Sequence, residues 1–183
     1  MIYPIYIYGS GVLRKECVEI DESYPELPKL IEHMFATMYA TNGVGLAAPQ
    51  IGKDIRLFVV DATPFEDDDP TAKEFKKVFI NPEIYEESEM EVLLNEGCLS
   101  VPGIHEDVYR PETIRINYLD ENFVEHDEEL TGWPARIVQH EYDHLDGIVF
   151  TDRLSTLRKT LLRNKLTGMT KGKFSCDYRT KQK

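Results

Sequence analysis

The strongest chemical signal in the chain is the run His140-Glu141-Tyr142-Asp143-His144. On a helix, positions i and i+4 share one face, so both imidazoles can reach a single metal ion while Glu141 stands beside an open coordination position. This is the arrangement of a metal-dependent hydrolase, in which the carboxylate moves protons for a bound water. The competing reading is a surface helix that happens to carry two histidines. The apolar residues flanking the run, Ile137 and Val138 before it and Leu145 after it, weigh against that.

A catalytic centre of this kind generally needs a third protein ligand. No glutamate follows Glu141, which removes the thermolysin-like solution, and Phe150 stands where a metzincin would place its third histidine. The remaining candidates are His33, His105, His126 and the three cysteines, Cys17, Cys98 and Cys176. Cys98 stands out in Asn95-Glu96-Gly97-Cys98-Leu99-Ser100, where it follows a strand and Gly97 allows a tight turn to aim the thiol. Cys17 and Cys176 read as small buried hydrophobes. Glu96 and Arg110 flank the Cys98 loop with opposite charges, either as a buried pair holding it or as two separate surface charges.

The elements that must position these residues can be read from period and punctuation. Leu27, Leu30, Ile31, Met34, Phe35 and Met38 predict a helix over 25–41 with Pro25 in its first turn. A loop over 42–50 follows, in which Gly43 and Gly45 permit unusual backbone geometry or close approach. Strands are expected over 55–61, 78–80, 90–94, 104–109 and 113–119, and the acidic stretch 66–75 reads as a solvated excursion. Thr131 can cap the helix that carries the histidines, running to about Leu145 and ending near Gly147. A last helix is expected over 155–166, with Leu157, Leu161 and Leu162 inward and Gly168 beyond its end. The expected fold is α+β: a single domain of small antiparallel sheets around a central HExxH helix, with an N-terminal and a C-terminal helix. Residues 1–168 would form the catalytic domain and 169–183 a basic tail.

Composition agrees with this reading. At 183 residues, with roughly 150 per domain, the chain has room for one domain. Its 42% hydrophobic and 30% charged residues exclude a disordered or fibrous protein. No uninterrupted apolar stretch reaches the ~18 residues of a membrane span, the aromatic residues 1–8 read as a strand rather than a signal peptide, and three widely spaced cysteines do not make a disulfide framework. A cytoplasmic protein is expected. Residues 1–152 hold 11 Lys and Arg against 32 Asp and Glu, whereas 153–183 hold 10 against Asp177 alone. The acidic body disfavours general or sequence-specific nucleic-acid binding, and the basic end suggests either one acidic partner surface or a solvated tail.

Three segments together resemble the motifs of the peptide deformylase family: Gly43-Val44-Gly45-Leu46-Ala47-Ala48-Pro49-Gln50, Glu96-Gly97-Cys98-Leu99-Ser100, and Gln139-His140-Glu141-Tyr142-Asp143-His144-Leu145-Asp146-Gly147. The resemblance implies removal of the formyl group from the N-terminal methionine of newly made polypeptides, with release of formate. It implies Cys98, His140 and His144 as metal ligands and Glu141 as general acid/base, assisting attack of a metal-activated hydroxide on the formyl carbon. It further implies Gln50 and the Leu99 N–H as donors to the developing oxyanion, backbone groups around Gly45 as a peptide-binding edge, and Val44 as a wall of the methionine pocket. The acidic stretch and the basic tail fall outside the family pattern. Sulfur and nitrogen donors suit Zn(II) by type, whereas the resemblance implies Fe(II). The rival functions are an HExxH endopeptidase, which needs an open groove, and a non-catalytic metal-stabilised module on the ribosome, which needs a fourth protein ligand. A deformylase meets its formyl-methionyl substrates as they leave the ribosome, so residues 153–183 could dock on ribosomal phosphates, with no role for a membrane.

Overall fold

Alternation along one short strand sets the architecture. The computed structural model describes residues 1–182 and contains, in chain order, β1 (Ile5–Tyr6), α1 (Leu27–Ala40), β2 (Gly45–Ala47), β3 (Leu57–Asp61), β4 (Lys76–Glu87), β5 (Glu91–Gly97), β6 (His105–Pro111), β7 (Ile114–Leu119), β8 (Glu125–Leu130), α2 (Gly132–Leu145), α3 (Thr156–Thr170) and β9 (Thr180–Lys181). Every residue of β3 is buried. Leu57 and Val59 join Leu30, Met34 and Met38 of α1 in one apolar cluster, while Phe58 and Val60 join Ala135, Val138 and Leu145 of α2 in a second. Successive side chains point to opposite faces of a strand, so the two clusters lie on opposite faces of the sheet and a helix covers each.

The central sheet is antiparallel in the order β2-β3-β4-β7-β8. The β5–β6 hairpin forms a separate two-stranded sheet that pairs Glu96 with Glu106 and Gly97 with His105. The third sheet joins the chain's two ends, with β9 parallel to β1. The result is the expected α+β domain, with α2 central to it.

Several local expectations are corrected. The loop over 42–50 contains β2, whose three buried residues pair with Phe58 to Val60, and then a 3-10 turn at Ala48–Ile51. Three residues are too few to show a period. β8, Glu-His-Asp-Glu-Glu-Leu, was not expected at all, because it carries almost no apolar signal. It is the edge of the sheet and is held partly by charge: Lys77 Nζ donates to Glu128 Oε2 at 2.8 Å, and Glu129 pairs in register with Arg115. Charged residues on an edge strand also discourage pairing with other chains.

α3 extends through Gly168, and its inward residues differ from those expected. Leu157 and Leu161 are 68% and 62% exposed, whereas Leu166 and Met169 are buried and Leu162 is half-buried. The helix start is held by polar contacts: Ser155 Oγ accepts from Arg158 N, and the Arg158 guanidinium donates to both oxygens of Glu106 at 2.6 and 2.9 Å. After the helix the chain does not end as a solvated tail. Ile5 N and Ile7 N donate to Arg179 O and Lys181 O at 2.9 and 3.0 Å.

The acidic stretch is likewise structured. Ala72 and Phe75 are buried, and Asp69 reaches the start of α2, where Oδ2 accepts from Trp133 N at 2.7 Å. Thr131 occupies the N-cap position, but its side chain makes no capping bond. Asp69 does that work from a distant part of the chain, next to the positive end of the helix. Asp69→Ala is therefore expected to destabilise the protein by about 1–2 kcal/mol, as loss of a helix cap does. Chemical denaturation checks this, while Thr131→Ala should cost much less.

Candidate metal centre and catalytic site

Two rigid elements converge on the site. α2 carries His140 and His144 on one face, with ring centroids 5.3 Å apart, and Cys98 comes from the turn that follows β5. Cys98 Sγ and one nitrogen from each histidine lie within 4.8 Å of one another, and Sγ is 3.3 Å from His144 Nε2. Among the described residues no other group of His, Cys, Asp and Glu side chains gathers in this way. His33 packs edge-on against Tyr3, His126 pairs with Asp120, and the His105 ring lies over Gly97. Cys17 is buried elsewhere, and Cys176 lies in the cavity wall outside the three-residue cluster.

Behind Cys98 and the two histidines lies an ionic network that is buried apart from Arg153. Arg110 Nε and Nη2 donate to the two oxygens of Glu96 at 2.5 and 2.9 Å, and Nη1 donates to Asp143 Oδ2 at 2.8 Å. Arg136 Nη1 adds a bond to Glu96 at 3.0 Å, and Arg153 donates to both oxygens of Asp143 at 2.5 and 2.6 Å. Glu96 Oε2 then lies 3.2 Å from His140 Nδ1. A partner on Nδ1 fixes the ring and leaves Nε2 for a metal. Of the two readings of Glu96 and Arg110, the buried pair is the one present. Sequence reasoning missed Asp143, Arg136 and Arg153. The signal available was a carboxylate and a guanidinium placed within an otherwise apolar-flanked helix.

The charges follow from this geometry. Burial works against ionisation of Glu96, but the bonds from His140 and Arg110 hold its carboxyl well below the usual range. Burial also opposes a Cys98 thiolate, yet His144 and His140 together bring the thiol down to about 5. Burial would lower the His140 pKa, but Cys98 and Glu96 raise it well above its ordinary value. A Cys98 thiol and a His140 imidazole whose charged forms favour each other are suited to giving up a proton to a divalent cation. Buried His144 Nδ1 and Glu141 Oε2 have no protein partner. An orphaned carboxylate oxygen beside three such donors fits a metal site with its associated water. Burial is the main cause that lifts the Glu141 carboxyl to about 7.

The other expected residues also reach the site. Gln50 is buried. Its Oε1 accepts from Ala47 N at 2.9 Å, and its Nε2 points to Ser100 Oγ at 3.3 Å and Cys98 Sγ at 3.5 Å. Ser100, fully buried, was not singled out from the sequence. Val44, Gly45, Gln50, Leu99, His140 and Glu141 line one cavity of about 680 Å³, whose lining also includes Phe65 and Trp133, stacked with ring centroids 4.2 Å apart. A Cβ on Gly45 would fall 2.7 Å from Glu141 Cγ, and one on Gly97 would fall 2.6 Å from the His105 ring. Gly97 therefore serves close packing rather than the tight turn expected of it, since its φ is not positive.

The network has a measurable signature. Glu96→Ala and Arg110→Ala should each cost about 3–5 kcal/mol, because each strands a buried charge, and the double variant should cost less than the sum. A double-mutant cycle on unfolding free energies reads this, and simple additivity would remove the coupling.

Similarity to known proteins is consistent along almost the whole chain. Residues 2–160 match the family model described as polypeptide deformylase. The chain is 48% identical to the peptide deformylase of Christiangramia forsetii, over 98% of this chain and 95% of that one. It is 50% identical to the peptide deformylase of Salinibacter ruber, over 97% and 93%. Among solved structures, Arabidopsis thaliana peptide deformylase 1B with a bound inhibitor superposes with a TM-score of 0.83 at 36% identity, covering 92% of this chain and 91% of that one. The Thermotoga maritima peptide deformylase gives 0.76 at 39% identity, covering 85% and 99%. With the fold, the length and the three motifs in agreement, the chain belongs to the peptide deformylase family.

Proposed function

We propose that this chain hydrolyses the N-formyl group from the formyl-methionine that starts newly synthesised polypeptides, with Cys98, His140 and His144 holding one divalent ion and Glu141 moving the proton. The observation that carries the reading is the Cys98 sulfur and two imidazoles within 4.8 Å, beside a buried Glu141 oxygen that has no protein partner. When bound, the ion supplies Lewis-acid activation of water near neutral pH. Glu141 accepts a proton from the attacking water as its oxygen bonds to the formyl carbon. Gln50 Nε2 and the Leu99 N–H donate to the formyl oxygen as negative charge develops there. When the carbon–nitrogen bond breaks, Glu141 returns the proton to the leaving amine, and formate and the free N-terminus depart.

Val44 and the apolar cavity wall would receive the methionine side chain, and backbone groups around Gly45 would align the peptide. Fe(II) is the proposed ion, from family resemblance; the ligand types also accept Zn(II). An endopeptidase is disfavoured by a thiolate in the third ligand position, and a structural metal module by the absence, among the described residues, of a fourth ligand in the cluster. No helix in the described residues is long and apolar enough to cross a membrane. A cytoplasmic location follows from the substrate.

Formate release from a formyl-methionyl peptide tests the function. Glu141→Gln, loaded with metal, should lose roughly 10²–10⁴-fold in turnover, because an amide cannot shuttle the proton. Gln50→Ala should lose roughly 10²–10³-fold with fold and metal intact, as removal of one oxyanion donor does. Near-normal turnover in either variant would remove that residue's role.

Docking on the ribosome is the second part of the proposal. Arg153, Arg158 and Lys165 are already engaged within the protein, by Asp143, Glu106 and Gly103 O. Lys159 and Arg163 remain on the exposed stretch of α3 with Leu157 and Leu161. Co-sedimentation with ribosomes should weaken steeply with salt, because phosphate contacts release counterions. Lys159→Glu/Arg163→Glu should lose it even at low salt, and sedimentation equal to wild type would discard the docking role.

A further inference from the structure

The stretch matched by the family model ends at residue 160, yet residues 175–178 form part of the wall of the catalytic cavity. This wall is anchored on both sides. Met169, before it, is buried in the core, and β9, after it, pairs with β1. Gln182 Nε2 closes the segment by donating to Met169 O at 2.6 Å. The half-buried Tyr178 packs against the same apolar cluster as Cys98 and Leu99, and its hydroxyl donates to Leu99 O at 2.7 Å.

That bond completes a set. Cys98 O accepts from Val101 N at 2.9 Å, and Ser100 O accepts from Tyr8 N at 2.8 Å. The middle carbonyl, Leu99 O, is held by a side chain, that of Tyr178. Because peptide units are planar, fixing the carbonyls of Cys98 and Leu99 fixes both backbone torsions of Leu99. Those torsions connect the peptide plane that carries the Leu99 N–H, adjoining the thiol-bearing Cys98, to the rest of the loop.

We propose that Tyr178 is a positioning residue of the deformylation site: its hydroxyl locks the Cys98–Ser100 turn so that the Cys98 sulfur and the Leu99 N–H point together into the cavity. The inference rests on the roles given above to Cys98 and Leu99. It makes the C-terminal segment a working part of the catalytic centre.

Tyr178→Phe keeps the ring and removes only the hydroxyl. In the metal-loaded full chain, kcat on a formyl-methionyl tripeptide should fall roughly fivefold, the scale of one lost hydrogen bond, with KM unchanged and Tm lowered by only a few degrees. In the cobalt-substituted protein, the sulfur-to-metal absorption band should shift, reporting a displaced Cys98. Tyr178→Leu removes the ring as well and should lower Tm. If Tyr178 only packs, Tyr178→Phe will match wild type and Tyr178→Leu alone will be impaired. A Tyr178→Phe protein with wild-type kcat overturns the proposal, as does a lowered kcat with the sulfur-to-metal band of the cobalt protein unmoved. The underlying ligand assignment is read separately: Cys98→Ala protein that still binds one cobalt ion per chain removes that assignment, whatever Tyr178→Phe does.

Discussion

The site depends on a charge network that is expensive to bury. Arg110 is 1% exposed and uses all three of its guanidinium nitrogens, two on Glu96 and one on Asp143. Taking such ions out of water costs several kcal/mol each unless every one is paired, so the network tolerates no missing member. That intolerance is useful, because Glu96 lies on β5, Arg110 on β6 and Asp143 on α2. Only one placement of the hairpin against the helix satisfies all three. The same placement sets Glu96 against His140 Nδ1 and brings Cys98, two residues further on, to His144.

This division of labour accounts for how Cys98 comes to stand beside the two histidines. In an HExxH enzyme whose ligands all follow the motif, spacing along one segment sets the metal geometry. Here the histidines ride on a helix and the thiol on a turn after a strand, 42 residues before His140 in the chain numbering. Their separation is therefore a consequence of tertiary packing. The two clusters of apolar residues on either side of β3 supply the bulk of that packing, and the ionic network supplies its register. Glycine enters for a related reason: Gly45 leaves room for the Glu141 side chain to lie against the β2 backbone, so the carboxylate is buried without a neighbour that would occupy its free oxygen.

What could be read from the sequence was what is local. The helix bearing His140 and His144, the N-terminal helix, the Cys98 turn and the opposite charges at Glu96 and Arg110 each declare themselves within a few residues. Contacts made across long separations did not: Asp69 capping α2, Arg136 reaching Glu96, and Ser100 meeting Gln50 are invisible to any window of the chain. β8 was missed because an edge strand held partly by ion pairs has no apolar alternation to find. The inward face of α3 was misjudged for a related reason. Leucines at 157 and 161 look like a packing stripe, but the Arg158–Glu106 pair and Leu166 with Met169 hold the helix in a different rotation.

The chain's two ends bear on the site together. β1 and β9 pair with each other, and each leads to a tyrosine that holds a carbonyl of the Cys98–Ser100 turn: Tyr8 through its backbone N–H to Ser100 O, and Tyr178 through its hydroxyl to Leu99 O. A two-residue parallel pairing is weak by itself. It persists here because Ile5 and Ile7 are fully buried and Met169 and Tyr178 pack on the same cluster, so the strand bonds form on a surface already assembled. The turn that carries the thiol is thus clamped on one side by the buried ions of the hairpin and α2, and on the other by both termini. A thiol carried by a loop gains from these two clamps the rigidity that the histidines receive from their helix.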